Sequence, residues 1–334
     1  MAPTQLSSGD LIADRRAGYA RMLAESGDAA AAADLQAQAL ELAPSWAAGW
    51  HELGCYREAA GDLEGAAEAW RTVLALDAVD VFGAGMKLAL IGRSSLPDAP
   101  PSEYVAQLFD DYSDRFDTAL VENLGYRVPE LLSGMIAAVA GPEARFARTV
   151  DLGCGTGLFG ARIRQSTSWL EGYDLSEGML AKAEAKGLYD RLDRADIRFG
   201  LPGGDTQSAE LVAAADVFAY FGDLEPVIAL CGRLVTANGL LAFSLEAGED
   251  GVDWRLQPSL RYCHGEAYVR GLLEAHGFDI VAIAREAIRN DGAEVITGLL
   301  VVARRSAGAP ASPGAAAVLA SDGDVVAVEP PLLN

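Results

Sequence analysis

The chain has 334 residues, 51% of them hydrophobic, enough for two domains and a well-buried core. Lys and Arg number 26 against 48 Asp and Glu, a formal charge of −22, which argues against nucleic acid or an anionic membrane surface as partner. The four cysteines, Cys55, Cys154, Cys231 and Cys263, form no CxxC pair, and His51, His264 and His276 lack metal-ligand spacing, so neither a disulfide framework nor a metal site is expected.

Residues 1–20 show no basic start followed by an apolar core, and no apolar run approaches membrane-spanning length, so the expected compartment is the cytoplasm. Laid over itself at an offset of about 34 residues, the first stretch aligns Gly27-Asp28 with Gly61-Asp62, Ala32 with Ala66, Leu40 with Leu74 and Leu42 with Leu76. That period belongs to stacked helix-turn-helix units. Trp50-x-x-Leu53-Gly54 followed by Ala66-x-x-x-Trp70 resembles the tetratricopeptide repeat, with Pro44 where that repeat ends its second helix. Residues 1–92 are therefore expected to form a small all-α repeat domain, closed by a half-repeat helix near Val81–Ile91 that covers the last apolar face. An Ala-rich bundle with accidental self-similarity is the other reading. So short an array would lean on its neighbour or on a second subunit, making a homo-oligomer or a protein partner conceivable.

Residues 93–101 are breaker-rich and read as a linker. Helical signals resume at Ser102. There Tyr104, Phe109, Tyr112 and Phe116 recur on roughly one face, interleaved with Asp110, Asp111, Asp114 and Asp117. From Ala147 onward, strand-like runs alternate with amphipathic helices: strands at Thr149–Leu152, Trp169–Tyr173, Glu210–Ala214, Leu240–Leu245, Ile280–Ala284 and Val295–Ala303, and helices near Glu177–Lys186, Glu225–Leu234 and Glu266–His276. Leu192–Ala195 is too polar for anything but an edge strand. The alternation predicts an α/β, doubly wound, Rossmann-like sheet, and the polar turn at Asn290–Gly292 makes its last two strands a closing antiparallel hairpin. Residues 306–334, rich in Ala, Gly, Ser and Pro, read as a disordered tail.

The stretch Thr149 to Gly160 joins a buried strand to a helix through Gly153, Cys154, Gly155 and Gly157, a loop able to lie against a nucleoside. Gly155-x-Gly157-x-x-Gly160 is also the dinucleotide fingerprint, so the loop alone admits a nicotinamide cofactor. Asp151 at the strand end would repel a pyrophosphate but suits the ammonium and sulfonium charges of S-adenosylmethionine.

Four stretches, Val150–Gly157, Gly172–Ser176 with Met179-Leu180, Ala215–Asp223 and Tyr104–Asp117, together resemble the class I S-adenosylmethionine-dependent methyltransferases over residues 102–305. With the repeats included, most of the chain resembles the predicted methyltransferases that carry tetratricopeptide repeats at their N-terminus. The resemblance implies a seven-stranded methyltransferase sheet, S-adenosylmethionine as cofactor, and methyl transfer to an O or N atom of a small molecule or peptide. It implies that Asp174 takes both ribose hydroxyls, that Leu175 and Met179 pack on adenine, and that Asp196 and Ile197 close adenine's far edge. Asp196 could also be a plain loop acid. Asp216 should face the methionine part or the acceptor; Tyr220, next on the same loop, is a catalytic candidate whose phenol could line the acceptor pocket, while Phe221 could equally pack the loop onto the sheet. Relatives use the helix near residue 112 as a lid, with Tyr112 the preferred lid residue, although amphipathic packing alone would give the same pattern. His264 could act as a base toward an acceptor proton or cap the next helix. Two rival functions remain: a repeat-based adaptor with a catalytically silent methyltransferase fold, and an NAD-dependent oxidoreductase.

Overall fold

The computed structural model describes residues 7–113, 124–204, 208–292 and 294–307, without the side chains of residues 111 and 112. The side chain of Tyr112, the aromatic and acidic positions from residue 114 to 117, and the tail beyond residue 307 lie outside them.

Asp10, Asp28 and Asp62 accept backbone N–H bonds at the starts of α1 (Leu11–Glu25), α2 (Ala29–Leu40) and α4 (Leu63–Leu76), each such cap adding about 1 kcal/mol. The α1–α2 turn and the turn from α3 (Ala47–Ala59) to α4 both run through a left-handed glycine, Gly27 and Gly61, so the aligned Gly-Asp pairs are two copies of one helical hairpin. Alanines let these helices approach closely. Ala13, Ala32, Ala66 and Ala69 are fully buried, and Trp70 fills the space where a Cβ on Gly54 would stand 2.3 Å from its indole nitrogen. Asp80 then caps α5 (Ala84–Leu90), the expected closing helix, whose Ala84 and Leu88 cover Trp70 and Val73.

The opposite side of α5 is not free. Met86 packs with Leu256, Leu260 and Tyr262 of the C-terminal part. The stretch read as a linker is bonded along its length: Pro97 carbonyl accepts from Tyr262 hydroxyl (2.6 Å), Asp98 carbonyl from Gly222 N–H (2.7 Å) and Pro100 carbonyl from Arg198 (3.0 Å). Residues 93–101 thus form a strap across the C-terminal part, and not a loose tether.

After α6 (Ser102–Tyr112) and α7 (Val128–Ala140) comes the sheet: β1 (Phe146–Leu152), β2 (Thr167–Asp174), β3 (Arg191–Arg194), β4 (Ala209–Ala214), β5 (Val235–Ala247), β6 (Trp254–Leu256), β7 (Tyr262–His264), β8 (Phe278–Asp291) and β9 (Glu294–Arg305). Strands β3-β2-β1-β4-β5 run parallel in that order, and β9 pairs antiparallel with β5 and with β8. Helices α8 (Leu158–Ile163), α9 (Glu177–Lys186), α10 (Glu225–Leu234) and α11 (Glu266–Ala275) make the crossovers. Two apolar clusters, one around Phe218 and Phe243 and one around Leu211 and Leu300, sandwich the sheet. Polar Arg191–Arg194 forms a strand after all, because β2 offers a parallel edge to pair with. Among the described residues the sheet has nine strands, the seven expected and two more. Three-residue β6 and β7 pair with each other, and β7 with the last residues of β5; both are too short to leave an alternating pattern in sequence.

Candidate active site

The carboxyl ends of β1, β2 and β4 surround a cleft enclosing about 1090 Å³, its open mouth included. Position fits the rule that open α/β sheets bind ligands where the strand order reverses. Its floor is the glycine loop. Gly153 adopts φ +63°, and a Cβ there would lie 2.4 Å from Val217, so both conformation and space demand glycine. Gly155 donates its N–H to Asp174 Oδ2 (2.8 Å), and Ser176 donates to Asp174 Oδ1 (2.9 Å). Each carboxylate oxygen keeps further lone-pair capacity, as a clamp for two hydroxyls requires. Burial pushes the Asp174 carboxyl above its usual range, against the pull of these N–H bonds.

Asp151, at the end of β1, is 1% exposed and lines the same cleft. Tyr189 donates its hydroxyl to Asp151 Oδ2 at 2.6 Å, while Oδ1 is buried with no partner among the described residues. Burial raises this carboxyl to about 7, the Tyr189 bond opposing the rise and nearby Asp174 adding to it. An acceptor left bare in this way costs about 1–3 kcal/mol, a deficit that a ligand ammonium would relieve. Tyr189 itself fits only because glycines surround it: a Cβ on Gly160 would stand 2.3 Å from its hydroxyl oxygen. Gly157, expected at the cofactor, caps α8 with φ +88° and flanks the same tyrosine instead of lining the cleft. Nothing in the sequence marked Tyr189, since its partner lies 38 positions away.

Leu175, Met179, Ile197 and Cys154 line the cleft as expected. Asp196 lines it too, but its carboxylate is already gripped by Arg198 and receives the Ser102 hydroxyl. Burial pushes its pKa up, and the Arg198 and Ser102 bonds outweigh that to hold it below the usual carboxylate range. The free edge-binding acid of the expectation is thus partly spent on fastening the start of α6. At the far end of α6, Asp110 accepts from Ser176 hydroxyl and from Gly178 N–H (3.0 Å). Helix α6 is thereby latched over the cleft at both ends, with Val105 and Phe109 turned to it, as a lid would be.

Beyond β1 the chemistry changes. Asp216, held at φ +63° after β4, receives Arg261 (3.2 Å) and Arg289 (3.2 Å), and Arg289 also reaches Glu246 on β5, with Arg261 3.6 Å from the same Glu246 oxygen. Asp216 therefore sits in a buried quartet and presents no isolated charge. Burial disfavours the Arg261 guanidinium, yet Tyr220, Asp216 and Glu246 together hold it firmly protonated. Arg261 lies over the Tyr220 ring, 5.0 Å from its centroid. The Tyr220 hydroxyl is buried with no partner among the described residues, and Phe109 meets its ring edge-on at 5.5 Å. Burial raises its pKa, Arg261 opposing. Tyr220 and Arg261 both line the cleft.

His264 does not. It is 0% exposed on β7, outside the cleft lining, with Nε2 3.0 Å from the Gly222 carbonyl and Nδ1 without a partner among the described residues. Burial drops its pKa to about 4. Neither base nor cap survives: a base needs reach, and α11 begins with no side-chain cap. His51 stacks on Phe82 among the repeats, and His276 faces Glu225 at 3.3 Å. Among the described residues no group of three or more His, Cys, Asp or Glu side chains could hold a metal, and no helix is long and apolar enough to cross a membrane.

Residues 150–241 match the model of a family described as a methyltransferase domain. The chain is 40% identical over 86 residues to methyltransferase-like protein 27 of Homo sapiens, covering 25% of this chain and 34% of that protein. It is 43% identical over 60 residues to TPR repeat-containing protein PA0015 of Pseudomonas aeruginosa, covering 18% of this chain and 57% of that protein. The chain thus spans about a third of the first relative and little over half of the second. Among solved structures, the [4+2]-cyclase SpnF aligns over 65% of this chain and 100% of its own with a TM-score of 0.51 at 19% identity. The strand order, the glycine loop and these matches together give the C-terminal part a Rossmann-like methyltransferase fold.

Proposed function

We propose that the protein is an S-adenosylmethionine-dependent methyltransferase acting on an O or N atom of a small molecule or peptide, with the helical hairpins serving as tetratricopeptide repeats that present substrate or recruit a partner. Bound there, the cofactor supplies a methyl group already activated by a sulfonium. The observation that carries the reading is the pair of buried carboxylates at adjacent strand ends: Asp174, pinned by backbone N–H groups with lone pairs to spare for ribose, and Asp151, with one oxygen left bare for an ammonium. Leu175, Met179 and Ile197 supply apolar walls for adenine, and α6 with the 93–101 strap keeps water from the reacting end. The chain's remaining task is alignment, since in-line displacement at an activated carbon is governed by near-attack geometry.

Calorimetric titration of the full chain with S-adenosylhomocysteine and with NAD tests this. Binding of the former alone supports it, and binding of NAD alone would overturn it in favour of the oxidoreductase. A second reading, cofactor binding without methyl transfer, draws on the fact that a protein described as a cyclase shares the fold. Labelled S-adenosylmethionine incubated with a cell extract separates the two: label moved onto an acceptor supports the transferase, and persistent binding without transfer supports a silent scaffold. The expected setting is the cytoplasm.

A further inference from the structure

We propose that Arg261 and Tyr220 form a carboxylate-binding subsite for the methyl acceptor, so that the substrate class is a molecule carrying a carboxylate; this rests on the methyltransferase reading above. Position comes first. Along the sheet, Asp174 ends β2, Asp151 ends β1, Asp216 follows β4 and Glu246 lies on β5, with strands about 4.8 Å apart. If Asp174 takes the ribose and Asp151 the ammonium, the next place along the cleft, beside β4 and β5, falls to the acceptor.

What stands there is a pair of donors. Arg289, 7% exposed, already reaches both carboxylates of the quartet, bonding Asp216 through Nη1 and Glu246 through Nη2. Arg261 gives Asp216 a single bond through Nη1. Its Nε and Nη2 make no hydrogen bond among the described residues, although the side chain is only 21% exposed and lines the cleft. Beside it stands the Tyr220 hydroxyl, buried, also in the lining and without a partner among the described residues. Leaving the buried Tyr220 hydroxyl unsatisfied is costly, and a ligand that meets both it and the free side of the guanidinium has a planar pair of acceptor oxygens. An amine would meet Arg261 as a like charge, whereas a carboxylate meets a guanidinium fork and a phenol.

Binding of acetate, benzoate and succinate is compared with that of acetamide, benzamide and succinamide by calorimetry, using the full chain saturated with S-adenosylhomocysteine. Expected is a preference of roughly tenfold or more for at least one acid over its amide. Arg261→Gln and Tyr220→Phe should each reduce that preference, while the affinities for S-adenosylhomocysteine and 5′-methylthioadenosine stay within about twofold. Tyr220→Phe removes one hydroxyl and leaves the quartet whole, so it remains informative if Arg261→Gln fails to fold. No acid preferred over its amide would overturn the subsite. So would an Arg261→Gln protein that weakens S-adenosylhomocysteine but not 5′-methylthioadenosine, since the guanidinium would then belong to the methionine carboxylate. Absence of S-adenosylhomocysteine binding in the unaltered protein would instead sink the methyltransferase reading, and the acid-over-amide comparison without nucleoside would still judge the subsite.

Discussion

Asp151 and Asp174, at the ends of β1 and β2, are buried against neutral donors only, a phenol and two backbone N–H groups, whereas Asp216 and Glu246, beside β4 and β5, are buried against two guanidinium groups. Both arrangements take a pair of acids out of water, at opposite electrostatic settings. The first pair is under-compensated, so the protein carries a cost until a cation and hydroxyls arrive. The second is compensated internally and turns its surplus N–H groups to the cleft. On the reading proposed above, one end of the cleft takes a cation and the other a ligand that accepts hydrogen bonds.

Deleting a member of the compensated pair should have the largest effect. Arg289→Ala strands two buried carboxylates with Arg261 alone and should destabilise the fold by about 3–5 kcal/mol in urea unfolding. A loss below about 1 kcal/mol would mean that the quartet is no structural unit, and the contrast between the two ends would collapse. At the other end, Asp174→Ala should leave folding largely intact but weaken S-adenosylhomocysteine by about 2–3 kcal/mol, the scale of lost hydrogen bonds to a charged group. Unchanged affinity would place the ribose elsewhere.

How legible the two ends were in sequence follows the same division. The cation end is local: a strand, a glycine loop and an acid after the next strand lie within one β-α-β passage, and glycine at positive φ leaves a mark that composition shows directly. The hairpins of the repeats were legible for a similar reason, each closed by a Gly-Asp turn and a capping bond three residues long. The quartet is not local. Arg261 and Arg289 reach Asp216 across 45 and 73 positions, and no pattern in the chain announces an ion pair of that span. His264 was misread for the converse reason. Its neighbours in sequence place it before a helix on the ligand side, but β7 pairs with the end of β5 and buries the imidazole against Gly222. The two short strands added to the expected seven lie at the same spot. Linker composition at 93–101 likewise concealed that three carbonyls would be claimed by the C-terminal part.

A titration separates the under-compensated end from an ordinary acid cluster. The folded value of Asp151, about 7, lies above its ordinary value of 3.8. Its contribution to stability is therefore complete below about pH 4 and is lost as pH rises through about 7. A ligand ammonium prefers the ionised form. Affinity for S-adenosylhomocysteine should consequently rise about tenfold between about pH 6 and about pH 7.5, and Asp151→Asn should bind more weakly with that dependence flattened. The same slope in the variant would assign the titration to another group.

The smallest effect belongs to the residue that holds this acid. Tyr189→Phe keeps the ring that Gly160 and Gly172 accommodate and removes only the bond to Asp151 Oδ2. Because that bond favours the carboxylate over the neutral acid, its loss should move the midpoint of the binding titration upward and reduce affinity at neutral pH by about 1 kcal/mol, roughly fivefold. Packing alone would predict a drop in thermal stability with no movement of the midpoint. The direction of the shift, more than the size of the affinity loss, therefore decides whether Tyr189 sets the charge of the cation end or only fills the space that its glycines leave.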